Sequence, residues 1–367
     1  MRTITTIPGR ANSLSLEQRE LPEPEVGSVL VRVIEVGVCG TDWDVIAGRK
    51  GLPPAGTDRL ILGHESLGRV ESSGDQAGEY RVGDLVVATV RRGDDCPMCC
   101  SGRTDLCETG GYRERGIFGL DGFMQDYYLE RPENLVKVPP SLRAVGVLVE
   151  PLACAHKAVR RALELRGASE PGWGPSSAAV IGAGPVGLLA TMLLRLEDVA
   201  TLTIARSPRG GLRSKLVEAT CASYAGTSET PLSVLARERG SFDLIIEAAG
   251  ASEMVFQVFE GLARNGIMVL TSATEGDGPL GVRSAWFNRE MVRGNRMIVG
   301  SNSASRADFH AAVDALAAME NRWSQLLERM ITRRLSPEEF VHQYTQLGEQ
   351  VKPVLVFADG GHRGHSR

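Results

Sequence analysis

The sequence lacks the features that mark membrane and nucleic-acid-binding proteins. No run of about 18 or more apolar residues occurs, so no transmembrane helix is expected. The first residues, MRTITTIPGR, lack the apolar core of a signal peptide, which favours the cytoplasm. The net charge of -4 gives no electrostatic reason to expect nucleic acid or an anionic membrane as a partner. Internal repeats and long low-complexity segments are also missing.

The cysteines do not form the pattern of a secreted disulfide framework. There are seven in 367 residues. Cys96, Cys99, Cys100 and Cys107 crowd into one short stretch. Such crowding fits metal binding or buried thiols better than a set of disulfides.

A glycine-rich turn after residue 181 predicts a dinucleotide site. Residues 178–181 are small or β-branched, as in a buried parallel strand, and residues 188–194 form an apolar helical run. Between them lies G-x-G-x-x-G. Its glycines would allow a tight turn, close approach of a pyrophosphate, and close packing of helix on strand. The helix N-terminus would then face the phosphates. The predicted cofactor-binding residues here are Gly182, Gly184, Pro185, Val186 and Gly187.

The end of the second nucleotide strand indicates which nicotinamide cofactor binds. NAD-specific sites usually carry an acidic residue there, about 20 residues beyond the glycines. This chain has Ala205-Arg206-Ser207-Pro208-Arg209, with no acid. Two guanidinium groups would stand where the 2′-phosphate of NADP lies. We therefore predict that Arg206, Ser207 and Arg209 bind the cofactor, with NADP preferred and NAD possible.

The pattern of apolar residues divides the chain into two kinds of structure. Residues 13–140 suggest an irregular β unit with strands at 29–36, 68–71 and 83–88. A helix is predicted over 144–164, interrupted at Pro151, and a linker over 167–177. Strands and helices then alternate from 178 to 300, which predicts a doubly wound parallel sheet. Helices over 306–320 and 336–347 and a strand over 353–357 complete the prediction.

Cys39 and His64 are the most suggestive candidates for a catalytic metal site. A thiolate and an imidazole are typical zinc ligands, and a catalytic zinc keeps one position open. They stand in Cys39-Gly40-Thr41-Asp42 and Gly63-His64-Glu65. Glu65 and Glu150 are candidate carboxylate ligands.

Together with the cysteine cluster and Gly182–Gly187, these motifs resemble the medium-chain, zinc-dependent alcohol dehydrogenase superfamily. Within it, the chain is most similar to the archaeal-type glucose 1-dehydrogenase branch. The stretches that carry this narrower resemblance are 90–93, 102–107, 114–117, 121–124 and 149–152. The resemblance implies a GroES-like β-rich catalytic domain (1–165), a Rossmann nucleotide-binding domain (166–300) and a segment returning to the catalytic domain (301–358). The polar composition of the last residues predicts a flexible tail (359–367).

The resemblance also implies roles for particular residues. Cys39 and His64, with Glu65 and Glu150 depending on state, match the ligands of a catalytic zinc. Thr41 matches a hydroxyl that passes on the substrate proton. Glu114 matches a sugar-binding carboxylate, and Asn302 matches a residue near the sugar and the nicotinamide. The implied reaction oxidises the anomeric hydroxyl of an aldose such as glucose to the lactone, in a homodimer or homotetramer.

The second metal site is expected to be structural. The superfamily spacing C-x2-C-x2-C-x7-C, counted back from Cys107, places Cys99 and Cys96 in register but puts Gly93 or Asp94 at the first position. A structural zinc needs a closed tetrahedral set. Asp94 is the favoured fourth ligand, while Asp95, Cys100 or an acid after Cys107 stay open, as does a degraded site that holds no zinc.

Two departures from the branch leave other substrates open. Val90 and Cys154 stand where some relatives carry Asn and Asp, and both changes remove polar groups that bind sugar. Another aldose, a polyol, a cyclitol or threonine is therefore an alternative substrate. A non-catalytic nucleotide-binding protein is the alternative from a different class.

Overall fold

A computed structural model describes residues 1–23, 26–73, 78–230, 234–235, 240–273 and 278–357. The chain divides into two compact units. The first contains Met1–Glu150, Ser303–Leu316 and the residues from Ile331 onward, and the second contains Pro151–Asn302 and Ala317–Met330. The domain boundaries at 165/166 and 300/301 stay predictions, and the tail at 359–367 lies outside the described residues.

The first unit is rich in β-structure, as predicted. Its largest sheet has the strand order β11-β6-β5-β3-β19-β18, with β10 also paired to β3. Small sheets β2-β1-β4 and β7-β8-β9 accompany it. The strands are β1 Arg2–Thr6, β2 Ser15–Gln18, β3 Val29–Gly37, β4 Leu60–Ile61, β5 Glu65–Ser73, β6 Leu85–Ala88, β7 Arg91–Arg92, β8 Arg113–Arg115, β9 Gly119–Leu120, β10 Tyr127–Glu130, β11 Leu135–Lys137, β18 Ile331–Leu335 and β19 Lys352–Val356.

Strand β3 is the centre of this unit because it pairs with β5, β10 and β19. Val29, Val31 and Val33 are fully buried, while Arg32 between them is exposed. This alternation confirms the half-buried strand that the sequence predicts. The last strand, β19, lies between β3 and β18, so a segment from the C-terminal part of the chain completes the sheet that carries the N-terminal motifs.

The second unit is a doubly wound parallel sheet, which confirms the predicted α/β fold. Its six strands lie in the order β14-β13-β12-β15-β16-β17, and neighbouring strands are parallel. The order reverses between β12 and β15, which is where such sheets bind ligands. The strands are β12 Ser177–Ile181, β13 Ala200–Ala205, β14 Ser223–Gly226, β15 Phe242–Glu247, β16 Leu262–Leu270 and β17 Met297–Gly300.

The predicted helices are present but differ in their bounds: the helix predicted over 144–164 begins at Val149, and the one predicted over 336–347 ends at Gln343. Pro151 does not interrupt the long helix, because it is the third residue of α3, where no intrahelical N–H bond is lost. The helix therefore runs on to Ser169, into the predicted linker. The helices are α1 Gly40–Ile46, α2 Pro97–Cys100, α3 Val149–Ser169, α4 Pro185–Leu196, α5 Leu212–Glu218, α6 Ser252–Val258, α7 Ser284–Gly294, α8 Arg306–Arg322 and α9 Pro337–Gln343. Within the described ranges, none has the length and apolar character of a membrane span.

Candidate active site

The fold brings three of the predicted zinc ligands together. The ligand atoms of Cys39, His64 and Glu65 all lie within 4.8 Å of one another. Antiparallel pairing of β3 with β5 sets Gly37 opposite Glu65, so the residues that follow β3 meet those that precede β5. His64 and Glu65 are buried, whereas Cys39 is partly exposed. A thiol, an imidazole and a carboxylate form a donor set that suits zinc, with one side left accessible.

Asp42 links the segment that carries Cys39 to the segment that carries His64, a role that the sequence analysis did not assign. It is fully buried in the first turn of α1. Its Oδ2 accepts the Cys39 backbone N–H at 2.8 Å, and its Oδ1 accepts that of Gly63 at 3.3 Å. Oδ1 also lies 3.5 Å from Nδ1 of His64. Burial lowers the pKa of His64, but the Asp42 carboxylate and Cys39 together outweigh this, and the pKa is raised well above its ordinary value.

Glu65 has a cationic partner that sequence reasoning missed. Lys352, the first residue of β19, donates from Nζ to both carboxylate oxygens of Glu65, at 2.7 and 2.6 Å. Burial lowers the pKa of Lys352, but Glu65, Cys39 and Glu150 outweigh this and raise it. The available sequence signal was weak: a lysine that opens an otherwise apolar strand.

Glu150 and Thr41 are helical residues that belong to the first unit. Glu150 is the second residue of α3, and its charge is among those that raise the pKa of Lys352. It is not part of the compact group of Cys39, His64 and Glu65. Thr41 is the second residue of α1 and is half-buried. Ligation by Glu65 and Glu150 and a proton relay through Thr41 stay predictions.

Glu114 lies in a segment that packs directly on the backbone before His64. Two residues beyond it, Gly116 has φ +70°, and a Cβ there would lie 2.5 Å from the Gly63 carbonyl oxygen. Only glycine fits at this contact. Oε1 of Glu114 accepts hydrogen bonds from the buried Arg91, at 2.8 and 3.1 Å. The predicted sugar-binding carboxylate is therefore joined through its own segment to the metal-ligand segment.

The glycine turn has the geometry that the sequence predicts. Gly182 has φ +107°, and a Cβ there would lie 2.6 Å from the Ala248 carbonyl oxygen. A Cβ on Gly187 would overlap the Gly182 carbonyl oxygen, so α4 can lie close to β12. Gly184 directly precedes α4, and no described atom lies within 4 Å of where its Cβ would be. Pro185 and Val186 form the first turn of α4, so this helix begins at an open space that suits a phosphate.

The three predicted cofactor-binding residues that follow β13 differ in the hydrogen bonds that their side chains make. Arg206 is exposed, and its guanidinium has no hydrogen bond to any residue in the described part of the chain. Arg209 donates from Nε to Glu218 at 2.9 Å. The hydroxyl of Ser207 lies 2.8 Å from that of Tyr224. Arg206 is therefore the better placed of the two arginines to bind a phosphate, and Arg209 would have to leave Glu218.

The cysteine cluster forms a second compact group. The ligand atoms of Asp94, Cys96, Cys99 and Cys107 lie within 4.8 Å of one another. The Cys96 and Cys107 Sγ atoms are 4.0 Å apart, close to the separation of about 3.8 Å expected for two thiolates on one tetrahedral zinc. Hydrogen bonds from Thr109 lower the pKa of Cys107 to about 7. Among the alternatives for a fourth ligand, Cys100 is exposed and points to the Asp95 carbonyl at 3.4 Å.

Asn302 lies two residues beyond β17. Its carbonyl accepts a hydrogen bond from Nζ of the buried Lys157 at 2.9 Å, and the residue is exposed. Ser303 follows in a left-handed conformation with φ +59°. The main chain at Asn302 is thus anchored, which suits a side chain that must be positioned accurately.

Two family models match the chain. Residues 25–140 match the alcohol dehydrogenase GroES-like domain, and residues 143–357 match the glucose dehydrogenase C-terminus. The chain belongs to the glucose dehydrogenase family. The resemblance to this branch of the alcohol dehydrogenases is therefore confirmed.

Relatives in the glucose dehydrogenase family match over nearly their whole length. Glucose 1-dehydrogenase of Methanocella arvoryzae is 41% identical over 97% of this chain and 99% of the relative. Glucose 1-dehydrogenase 1 of Caldivirga maquilingensis is 38% identical over 97% and 98%. A solved structure of Haloferax mediterranei glucose dehydrogenase in complex with NADP, zinc and gluconolactone has a TM-score of 0.90 and 32% identity, covering 98% of this chain and 100% of that one.

Proposed function

We propose that this protein oxidises the anomeric hydroxyl of an aldose, with glucose the first candidate, to the lactone and reduces NADP. The observation that carries the proposal is the convergence of Cys39, His64 and Glu65 in a chain of the glucose dehydrogenase family. The relative from Haloferax mediterranei, with its NADP, zinc and gluconolactone, supports the same substrate class and cofactors.

In this proposal Cys39 and His64 hold a catalytic zinc, with Glu65 and Glu150 as carboxylate ligands in some states. When bound, zinc supplies Lewis-acid polarisation of the substrate hydroxyl. Asp42 orients His64 and fixes the start of α1. Accurate placement of these side chains matters because a displacement of about 1 Å can lower the rate roughly 100-fold.

The remaining roles belong to residues outside that group. The Thr41 hydroxyl takes up the proton that leaves the substrate hydroxyl and passes it outward. Glu114 accepts hydrogen bonds from sugar hydroxyls, and Asn302 orients the sugar so that the hydride leaves the anomeric carbon toward C4 of the nicotinamide. The turn from Gly182 to Gly187 receives the pyrophosphate, and Arg206, with Ser207 and Arg209, receives the 2′-phosphate.

The second group, Asp94, Cys96, Cys99 and Cys107, would hold a structural zinc. Its three thiols and one carboxylate can close a tetrahedral set without a solvent position. We further propose a homodimer or homotetramer. The edge strand β17 leaves Met297, Ile298 and Val299 only partly buried, a face that a second copy could cover. Free cysteines fit a cytoplasmic location.

A substrate panel tests the proposed reaction. Purified protein is assayed with NADP or NAD against aldoses, polyols, cyclitols and threonine, and zinc is counted by elemental analysis. We expect aldose-dependent NADP reduction, a lactone product and about two zinc ions per chain. Turnover of a polyol or threonine alone would show that the substrate is not an aldose. No turnover with zinc bound would contradict an enzymatic role. Mass photometry gives the oligomeric state.

A further inference from the structure

Arg91 is a buried cation outside both metal-ligand groups. It lies on β7 opposite Glu114 on β8, and its side chain is only 4% exposed. Nε and Nη2 both donate to one oxygen, Oε1 of Glu114, at 3.1 and 2.8 Å. The guanidinium carbon lies 3.6 Å from the centre of the Tyr112 ring. Stacking therefore fixes the plane from which Arg91 reaches Glu114.

The other oxygen of Glu114 has no such partner. Within the described residues, Oε2 accepts no hydrogen bond, although the side chain is only 14% exposed. The backbone around it is fixed: the Glu114 N–H donates to the Phe118 carbonyl at 2.7 Å, and the Phe118 N–H donates back at 2.9 Å. The residue is thus held by its main chain and by Oε1, with Oε2 left to accept a hydrogen bond.

Carboxylates that pair with arginine in this unit differ in how many of their oxygens accept hydrogen bonds. Glu35 accepts from Arg334 through Oε1, and its buried Oε2 has no hydrogen-bond partner among the described residues. Both oxygens of Glu130 are used: Oε1 accepts from the Arg131 N–H and Asn134 at 3.0 and 2.9 Å, and Oε2 accepts from Arg92 and Arg115. Glu130 leaves no acceptor idle, whereas Glu114 leaves one. Oε2 of Glu114 is not among the buried side-chain atoms that lack a hydrogen-bond partner, so it reaches solvent and is open to a hydroxyl group of a ligand.

We propose that Arg91 is a positioning residue for substrate specificity. It fixes Glu114 through Oε1 so that Oε2 is presented to hydroxyl groups of the sugar, and Tyr112 sets the orientation of the guanidinium. The inference rests on the proposed function, because it takes Glu114 as the sugar-binding carboxylate. A lysine cannot reproduce it, since a single ammonium neither donates from a rigid fork nor stacks as a plane on the ring.

The test is a double-mutant cycle on purified zinc-loaded enzyme. Arg91→Lys should raise the KM for glucose about 10-fold and change kcat by less than about 3-fold, because ground-state orientation of the sugar is lost. In a Glu114→Ala background, the same change should alter kcat/KM by less than about 2-fold, because its effect passes through Glu114. Zinc content and the KM for NADP should stay unchanged.

A second readout uses sugars that lack one hydroxyl. Among 2-, 3-, 4- and 6-deoxyglucose, the wild type should show its largest drop in kcat/KM with the sugar that lacks the hydroxyl bound by Oε2. That selective loss should shrink in both Arg91→Lys and Glu114→Ala. Tyr112→Leu, at a half-buried position, should act in the same direction more weakly, and it keeps the test available if Arg91→Lys does not fold. Loss of structure alone would not change the pattern across the deoxy sugars.

Arg283→Lys is the matched control. Arg283 also pairs with a glutamate, Glu260, at 2.9 Å and lies over an aromatic ring, Trp286, but it is 70% exposed. The Arg283→Lys variant should leave kcat, the KM for glucose, the deoxy-sugar pattern and the zinc content unchanged. Additive effects of Arg91→Lys and Glu114→Ala, or an unchanged deoxy-sugar pattern, would overturn the inference while wild-type sugar oxidation stands. A wild type with no sugar-dependent NADP reduction would overturn the proposed function and the inference with it.

Discussion

Lys352 donates to both carboxylate oxygens of Glu65 across 287 positions of sequence, and each side chain is only 1% exposed. Such a pair contributes little when intact, but removing one partner leaves an uncompensated buried charge. Lys352→Met should therefore lower the free energy of unfolding by about 3–5 kcal/mol. The double variant Lys352→Met/Glu65→Gln should recover much of that loss. Urea unfolding of the three proteins measures both effects, and a fully stable Lys352→Met would contradict them.

His64 tests the catalytic metal. His64→Ala should stay folded, lose one zinc equivalent and lose nearly all activity, because the imidazole is one of few donors in its group. Elemental analysis and initial rates measure the two losses. His310→Ala is the control, since His310 is exposed and outside both groups. Unchanged zinc content in His64→Ala would show that the metal is held elsewhere.

Arg206 tests the choice of cofactor. Arg206→Asp should weaken NADP by at least about 10- to 150-fold, because a charge-assisted contact is lost and repulsion is added. NAD should improve relative to NADP, since the new carboxylate can accept a ribose hydroxyl. Arg209→Ala should have a smaller effect, because Arg209 is engaged with Glu218. The measurement is kcat/KM for both cofactors, and a preference that does not move would exclude this loop as the phosphate site.

The cysteine cluster tests the structural zinc. Cys107→Ser and Asp94→Ala should each lose one zinc equivalent and lower the melting temperature, while the other zinc ion and part of the activity remain. Cys100→Ser is the matched control because Cys100 is an exposed neighbour outside the group. Loss of zinc in Cys100→Ser, with normal zinc in Asp94→Ala, would instead make Cys100 the fourth ligand.

The Glu130 carboxylate makes the stability of the fold depend on pH. Burial raises its pKa, but Arg92 and Arg115 outweigh this and lower it from 4.5 to about 2. The carboxylate therefore stabilises the fold fully above pH 4.5, and this contribution is lost as the pH falls toward 2. Glu130→Gln should cost about 3 kcal/mol at pH 7. The difference from wild type should shrink between pH 4.5 and 2 in urea unfolding, and a pH-independent difference would refute this origin.

The sequence was sufficient to predict features that depend on residue type and on the local pattern of the chain. Gly182, Gly184 and Gly187 stand between a strand and a helix in both prediction and structure. Cys39 and His64 were identified by residue type, and the fold brings them together. Neither observation required knowledge of long-range pairing.

Partners that are distant in the chain could not be predicted in this way. Lys352 opens an apolar strand, and nothing in its surroundings indicates a glutamate that lies hundreds of positions earlier. Arg91 meets Glu114 only because β7 and β8 pair in one register. The interruption predicted at Pro151 was wrong because a proline in the first turn of a helix breaks no bond, and the position of that first turn depends on the fold.

The contact between Gly116 and Gly63 limits how this enzyme can be redesigned. The segment that carries Glu114 and the segment that carries His64 touch backbone to backbone, with no room for a side chain at Gly116. A loop taken from a relative with another substrate would therefore transmit any change in its path to His64, the proposed metal ligand. Residues 60–65 and 113–123 should be exchanged as a single cassette, and libraries for new sugars should leave both glycines untouched.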